Sequence, residues 1–208
     1  MKHHRLEPVA FDDDSGVRAR LAASHVAVIG CGGLGSNAAQ MLVRAGIGEL
    51  TLIDFDTVAE SNLNRQLFFR DQLGRPKTAA LAETLLRIRP EVTLMLHQVR
   101  ATAGDLLELV GTADVVIEAV DTAEAKAMIA NVILRERPEL PLVSASGIAG
   151  FDSANSVVSE KMGKGYYLIG DHTSDVGHNL PLLASRVTVA AAHEAHIAIR
   201  ILLGHPEP

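Results

Sequence analysis

Residues 26–36 read VAVIGCGGLGS, and residues 50–56 read LTLIDFD. The first stretch is a β-branched apolar run that breaks into glycines and resumes as a helix at Ser36. Gly30, Gly32 and Gly35 satisfy G-x-G-x-x-G, with Gly33 an additional glycine. Glycines let the backbone turn tightly and come close to phosphate oxygens, and the N-terminus of the helix that follows attracts the anion. The second stretch is another buried-type strand. It ends on Asp54, about 20 residues beyond the loop, where an acid can hydrogen-bond a ribose hydroxyl. A strand, glycine loop, helix, strand and acid in this order predict nucleotide binding on a Rossmann-like sheet.

The alternation continues outward. Further apolar runs occur at Val92–Leu96, Val115–Ala119 and Leu142–Ala145, with helical stretches near 36–46, 77–89, 103–110 and 123–136. Continuous apolar strands separated by helices predict an α/β fold. The sheet should be mostly parallel, Rossmann-like, and covered by helices on both faces. Beyond residue 150 the pattern changes. Ser156–Ser159 and Tyr166–Ile169 flank EKMGKG and read as a hairpin. Residues 170–185 are polar and loop-like, and a last helix is expected at about 186–203, before Gly204. The expected organisation is one domain over 1–208. Residues 1–150 form a nucleotide-binding half, and residues 151–208 a short, partly antiparallel extension.

Composition sets bounds. The chain is 48% hydrophobic but only 3% aromatic, so its core must be built from Ala, Val, Leu and Ile. A net charge of −6 argues against general nucleic-acid binding, which needs a basic face. One cysteine, Cys31, excludes an internal disulfide framework and a Cys-rich zinc site. No apolar leader or membrane span is visible, which predicts a cytoplasmic protein.

The glycine loop alone does not separate hydride transfer from phosphate chemistry; the residues after Asp54 do. Asp56 is followed by SNLNRQ at 61–66 and, after a Gly-Arg-Pro turn, by Lys77. Pro76 reads as the start of a helix, placing Lys77 in its first turn, where the dipole disfavours a cation unless phosphates offset it. A nicotinamide-dependent oxidoreductase, the alternative reading, has little use for Arg65 and Lys77 near the second strand. Asp121 follows the fourth strand, at a carboxyl end where ligands collect, and one carboxylate there suits Mg²⁺ with phosphate oxygens. Glu118 reads as a paired or edge charge and Asp114 as a loop or cap residue. Asp171, His172, Asp175 and His178 cluster without the spacing of a zinc site. His193 and His196 lie three apart on the last helix, at a helix boundary or dimer seam.

These motifs together, GxGGLGS, LxDxDxVxxSNLxRQ, GxPK and the Asp-Thr-Ala of EAVDTAEAK, resemble the ThiF/MoeB family of adenylyltransferases related to ubiquitin-activating enzymes. SASGIAGFDSANS and RVTVAAAHEAHIAIRILLG are similar to its short ThiF-like branch. The resemblance implies ATP and Mg²⁺. It implies adenylation of the terminal glycine carboxylate of a ubiquitin-fold sulfur carrier with a Gly-Gly tail, ThiS-like, in thiamine biosynthesis. It also implies a homodimer. By motif position, Gly30, Gly32, Gly33 and Gly35 would line the nucleotide and Asp54 and Asp56 would follow at the ribose side. Asn62, Arg65, Gln66 and Lys77 would handle the triphosphate, and Asp121 the metal. Arg65, Lys77 and Asp121 are the expected catalytic set. The chain lacks the Cys-x-x-Cys pairs of many relatives, so no zinc is expected. It also lacks a later cysteine for a thioester step; Cys31, between two glycines, reads as packing against the sheet or flanking a nucleotide. Arg5, Arg18 and Arg20 are the candidates for an arginine that reaches a partner's nucleotide, and a non-catalytic binding subunit is the remaining alternative.

Overall fold

The computed structural model describes residues 7–174 and 180–208. Seven strands form one sheet: β1 (His25–Ile29), β2 (Glu49–Ile53), β3 (Thr93–His97), β4 (Val115–Glu118), β5 (Leu142–Ala145), β6 (Val158–Gly163) and β7 (Tyr166–Gly170). Their order is β3-β2-β1-β4-β5-β7-β6, parallel throughout except for the β6–β7 pair. The chain winds outward from β1 to β3 and then returns to place β4 on the other side of β1. The carboxyl ends of β1 and β4 therefore flank the point where winding reverses, which is where such sheets leave a crevice.

Helices cover both faces, as the strand pattern predicts. On one face α1 (Asp14–Ala22), α2 (Gly33–Ala45), α3 (Lys77–Ile88) and α6 (Ala184–Leu202) share a core with Val26, Val28, Leu50 and Ile117. On the other, α4 (Leu106–Val110) and α5 (Ala123–Glu136) pack on Ala27, Ile29, Ile53 and Val116. Alternate residues of β1 feed alternate cores, so its burial is complete on both sides. The helix pair α2 and α6 meets through small residues, Ala38 and Ala39 against Ala190 and Ala191, all fully buried. A chain with few aromatics can still fill its core in this way, by bringing backbones close.

Four local readings shift. Helix α1 carries no apolar periodicity and buries only Leu21, so no sequence pattern marks it. Helix α2 begins three residues earlier than its polar start suggests, so Gly33 and Gly35 lie inside its first turn. Helix α4 is shorter than expected, because Asp105 ties Thr102 into a turn ahead of it. The hairpin strand runs through EKMG, with the turn confined to Lys164 and Gly165.

One buried group stands out in α6. Glu194 is 0% exposed, and neither carboxylate oxygen has a hydrogen-bond partner among the described residues. Burial pushes its carboxyl well above the usual range; Lys126 opposes the shift and Glu118 adds to it. The native state therefore holds the proton that the unfolded chain releases above its ordinary value of 4.5. Stability falls by about 1.4 kcal/mol per pH unit above that point until the native value is reached. Glu194→Gln removes the slope. Its advantage over the parent in urea unfolding is expected to be small at pH 5 and to widen by pH 8. An equal difference at both pH values would show that the native state does not hold Glu194 protonated above its ordinary value.

Candidate functional site

Backbone geometry builds the site first. Gly30 leaves β1 with φ of 93°, and a Cβ there would lie 2.6 Å from the Ala119 carbonyl oxygen at the end of β4. A Cβ on Gly35 would sit 1.8 Å from the Gly30 carbonyl oxygen. These two glycines let strand, loop and helix touch. Gly32 differs: its Cβ position meets nothing nearer than the Gln66 amide at 3.7 Å, so its surface faces open space. Gly33 lies under α6, with Val187 2.9 Å from its Cβ position and Arg65 at 3.6 Å. No side chain caps the N-terminus of α2, and its first turn carries no acid. That leaves a positive helix end suited to an anion.

Asp54 ends β2 inside this cradle, buried. Its Oδ2 accepts the Cys31 N–H at 2.6 Å and its Oδ1 the Asp56 N–H at 2.8 Å. A carboxylate has about four lone-pair sites, so each oxygen can accept one more donor, such as a ribose hydroxyl. Cys31 between these glycines is fully buried. Burial, together with the Asp54 charge, pushes its thiol well above the ordinary value, and Lys77 only partly opposes this. The thiolate is disfavoured, which makes it a packing group rather than a nucleophile.

Lys77 is not a solvated surface cation. It is 6% exposed, and its Nζ donates to Asp56 Oδ2 at 3.0 Å. The backbone arranges this meeting. Residues 56–58 pair with 74–77 through Val58 N–H to Arg75 O at 2.9 Å and Lys77 N–H to Asp56 O at 3.0 Å. Helix α3 then starts with Lys77 and has Pro76 at its N-cap. An ammonium has three donors, and Asp56 takes one of them.

The SNLNRQ segment folds over the glycine loop. Arg65 holds its guanidinium on the Ser61 carbonyl (3.0 Å) and on Asn64 Oδ1 (2.8 Å). Asn62 uses Oδ1 to accept the Ala59 N–H, shaping the turn. Gln66 has a buried Oε1 with no partner among the described residues. The Gln66 atom that lies toward the open space at Gly32 is its Nε2, a donor, 3.7 Å from the Gly32 Cβ position. Ser36 and Asn37, which the motif reading passed over, connect this segment to α2: Ser36 Oγ accepts the Leu67 N–H and Asn37 Nδ2 donates to the Arg65 carbonyl.

Asp121 lies just past β4, exposed, ahead of Thr122, which caps α5. The acid gripped by the fold is instead Glu118, fully buried, bonded to Lys126 Nζ at 2.9 Å and to the Val120 N–H at 2.9 Å. Glu118 is thus the paired charge the strand pattern suggested. Asp114 accepts the His25 N–H at 2.9 Å and ties the start of β4 to β1.

The polar cluster after β7 is divided. Asp171 bonds Arg186, and His172 lies 3.5 Å from Glu160. Asp175 and His178 lie outside the described residues, as does Arg5. Ser159 Oγ and His193 Nδ1 are 2.8 Å apart, which binds β6 to α6. Among the described residues there is no group of three or more metal-ligating side chains, and no helix is long and apolar enough to cross a membrane.

Comparison with known proteins follows the same lines. The molybdopterin-synthase adenylyltransferase of Escherichia coli is 31% identical over 214 residues, covering 95% of this chain and 80% of that protein. The E. coli adenylyltransferase of the sulfur carrier protein ThiS is 35% identical over 165 residues. That match covers 78% of this chain and 62% of the relative. The E. coli tRNA threonylcarbamoyladenosine dehydratase is 37% identical over 131 residues, and the match spans about half (48%) of its length. The crystal structure of that dehydratase in complex with ATP superposes with a TM-score of 0.82. It has 24% identity and covers 92% of this chain and 90% of the other, a likeness of fold. A model of the ThiF family matches residues 5–208. The chain belongs to the ThiF family.

Proposed function

We propose that this protein is an ATP-dependent adenylyltransferase, acting as one domain over 1–208, that activates the terminal glycine carboxylate of a ThiS-like sulfur carrier. The observation that carries the reading is the buried Lys77, paired with Asp56 two residues past Asp54, the acid that holds the glycine loop through Cys31 N–H. A buried cation held on the same segment as a ribose-type acid suits a triphosphate and has no use in hydride transfer. Matched relatives include adenylyltransferases and ubiquitin-like modifier-activating enzymes by name, which supports the same chemistry.

In this reading Asp54 accepts from the ribose, and Gly32 with the open N-terminus of α2 receives the phosphates. Gly30, Gly33 and Gly35 shape that loop. Arg65, Gln66 and Lys77 hold the triphosphate, with Asp56 and Asn62 fixing Lys77 and the loop that carries Arg65. The carrier carboxylate attacks the α-phosphorus, a new C–O–P link forms, and the bond to the β-phosphate oxygen breaks. Pyrophosphate departs with the electron pair. Little covalent work is asked of the protein; positioning and charge carry the step. Asp121, exposed at the end of β4, fits Mg²⁺, which takes one or two carboxylates with phosphate oxygens and would neutralise charge on the departing pyrophosphate.

One relative acts, by its name, on a modified tRNA nucleoside. The net charge of −6 and pI near 5.8 favour a protein substrate over RNA. The family resemblance further supports a homodimer. The test is ATP–pyrophosphate exchange with a panel of Gly-Gly-tailed carriers and with threonylcarbamoyladenosine-containing tRNA. Exchange that requires a carrier is expected. Exchange driven by the tRNA alone, or tight NAD binding without exchange, would overturn the assignment.

A further inference from the structure

Ser36 and Asn37 are out of place as helix residues. They precede Ala38 and Ala39 in a helix whose inner face is apolar, and alanine is the better helix former at either position. Each bonds back to the carbonyl four residues earlier: Ser36 Oγ to Gly32 O at 2.6 Å and Asn37 Nδ2 to Gly33 O at 2.7 Å. Such back-bonding gives a helix no advantage.

Both groups are then used a second time, across 28 or more positions of sequence. Asn37 Nδ2 also donates to the Arg65 carbonyl at 3.1 Å. Ser36 Oγ also accepts the Leu67 N–H at 3.0 Å. Gln66, with its orphaned buried Oε1, lies between these two anchors. The backbone N–H groups of Arg65 and Gln66 bond to Asn62 O within their own loop, so they do not fix the loop on the sheet. The segment carrying Arg65 and Gln66 is thus fastened at both ends to the first turn of the helix that opens the glycine loop.

We propose that Asn37 is a positioning residue for the nucleotide. Its amide bridges the glycine loop and the Arg65 backbone, and so sets where the Arg65 guanidinium stands over the phosphates. The inference rests on the ATP reading above for the nature of the ligand. Asn37 touches no reacting atom; it acts through Arg65. Its effect should therefore vanish when Arg65 is already gone.

The experiment is a double-mutant cycle on ATP affinity, measured by titration calorimetry of the full chain without carrier, for the parent, Asn37→Ala, Arg65→Ala and the double variant. Asn37→Ala is expected to weaken ATP binding about tenfold. Arg65→Ala should do at least as much, and the double variant should match Arg65→Ala within about twofold. Hydrogen exchange without nucleotide should show faster exchange at residues 65–68 in Asn37→Ala, with the later turns of α2 unchanged. Alanine favours the helix, and Asn37→Leu, which is close in shape, carries no donor and adds no charge, serves if Asn37→Ala does not fold. Parent-like affinity in Asn37→Ala, or penalties that multiply in the double variant, would overturn this inference alone. A parent protein that binds no ATP would overturn it together with the adenylation reading.

Discussion

Lys77→Ala is expected to lower carrier-dependent ATP–pyrophosphate exchange by about 100- to 1000-fold, the loss seen when one preorganised donor to developing charge is removed. The protein should remain folded. Lys77 is the first residue of α3, where a cation opposes the helix dipole, and alanine favours the helix. Its partner Asp56 is nearly half exposed (46%), so water can solvate the carboxylate once the ammonium is gone. Lys77→Arg should not restore activity fully, since a planar fork does not replace a compact charge in a site this closed. The check is exchange rate and melting temperature measured on the same samples. Full exchange in a folded Lys77→Ala protein would mean that the buried ammonium serves the fold and not the triphosphate.

The second large effect concerns folding. Arg186, at the start of α6, is 4% exposed. It donates to the Asp152 and Ser153 carbonyls at 2.8 and 2.9 Å, to Ser156 Oγ, and to the carboxylate of Asp171. One side chain thereby holds the turn after β5, the end of β7 and the last helix together. Arg186→Met is expected to cost about 3–5 kcal/mol, the cost of leaving one half of a buried pair behind. Restoring balance with Asp171→Asn in the same chain should recover part of it. Asp171 supplies a pH signature. Burial would raise its carboxyl, but hydrogen bonds from Ser174, Thr173 and Arg186 outweigh that and hold it well below the usual carboxylate range. A depressed carboxyl contributes stability above its ordinary value of 3.8, and that contribution is lost as pH falls toward the native value. The parent should therefore weaken steeply in urea unfolding below about pH 4, and Arg186→Met less steeply. An Arg186→Met protein as stable as the parent at pH 7 would show that the pair is dispensable.

Much of this was legible in the chain. The runs at 26–29, 50–53, 115–119 and 142–145 are strands because β-branched residues without polar alternation suit only a doubly buried parallel strand. Asp54 could be placed at the end of β2 because that strand has a clear start and stop. What stayed hidden depends on distance across the fold. The sequence marks Lys77 by its place at a helix start but not its burial, which only the pairing of 56–58 with 74–77 produces. Asp121 and Glu118 are both acids near one strand end; the strand pattern marks Glu118 as a paired or edge charge, but Lys126 as its partner and the exposure of Asp121 emerge only in the fold. Asp171 and Arg186 lie on separate elements, and no local rule couples them. Asn37 carried a faint signal, a polar pair at the head of an alanine-rich helix, whose meaning needed the position of Arg65.

The central claim is that the site joins a carboxylate to the α-phosphate of ATP. The most direct measurement is the intact mass of a Gly-Gly-tailed carrier after incubation with ATP, Mg²⁺ and this protein, quenched in acid. A carrier heavier by one adenylyl group is expected. It should be absent when ATP is omitted and strongly reduced with Lys77→Ala. A carrier of unchanged mass across the ThiS-like and molybdopterin-type panel, with a folded protein that binds ATP, would contradict the claim.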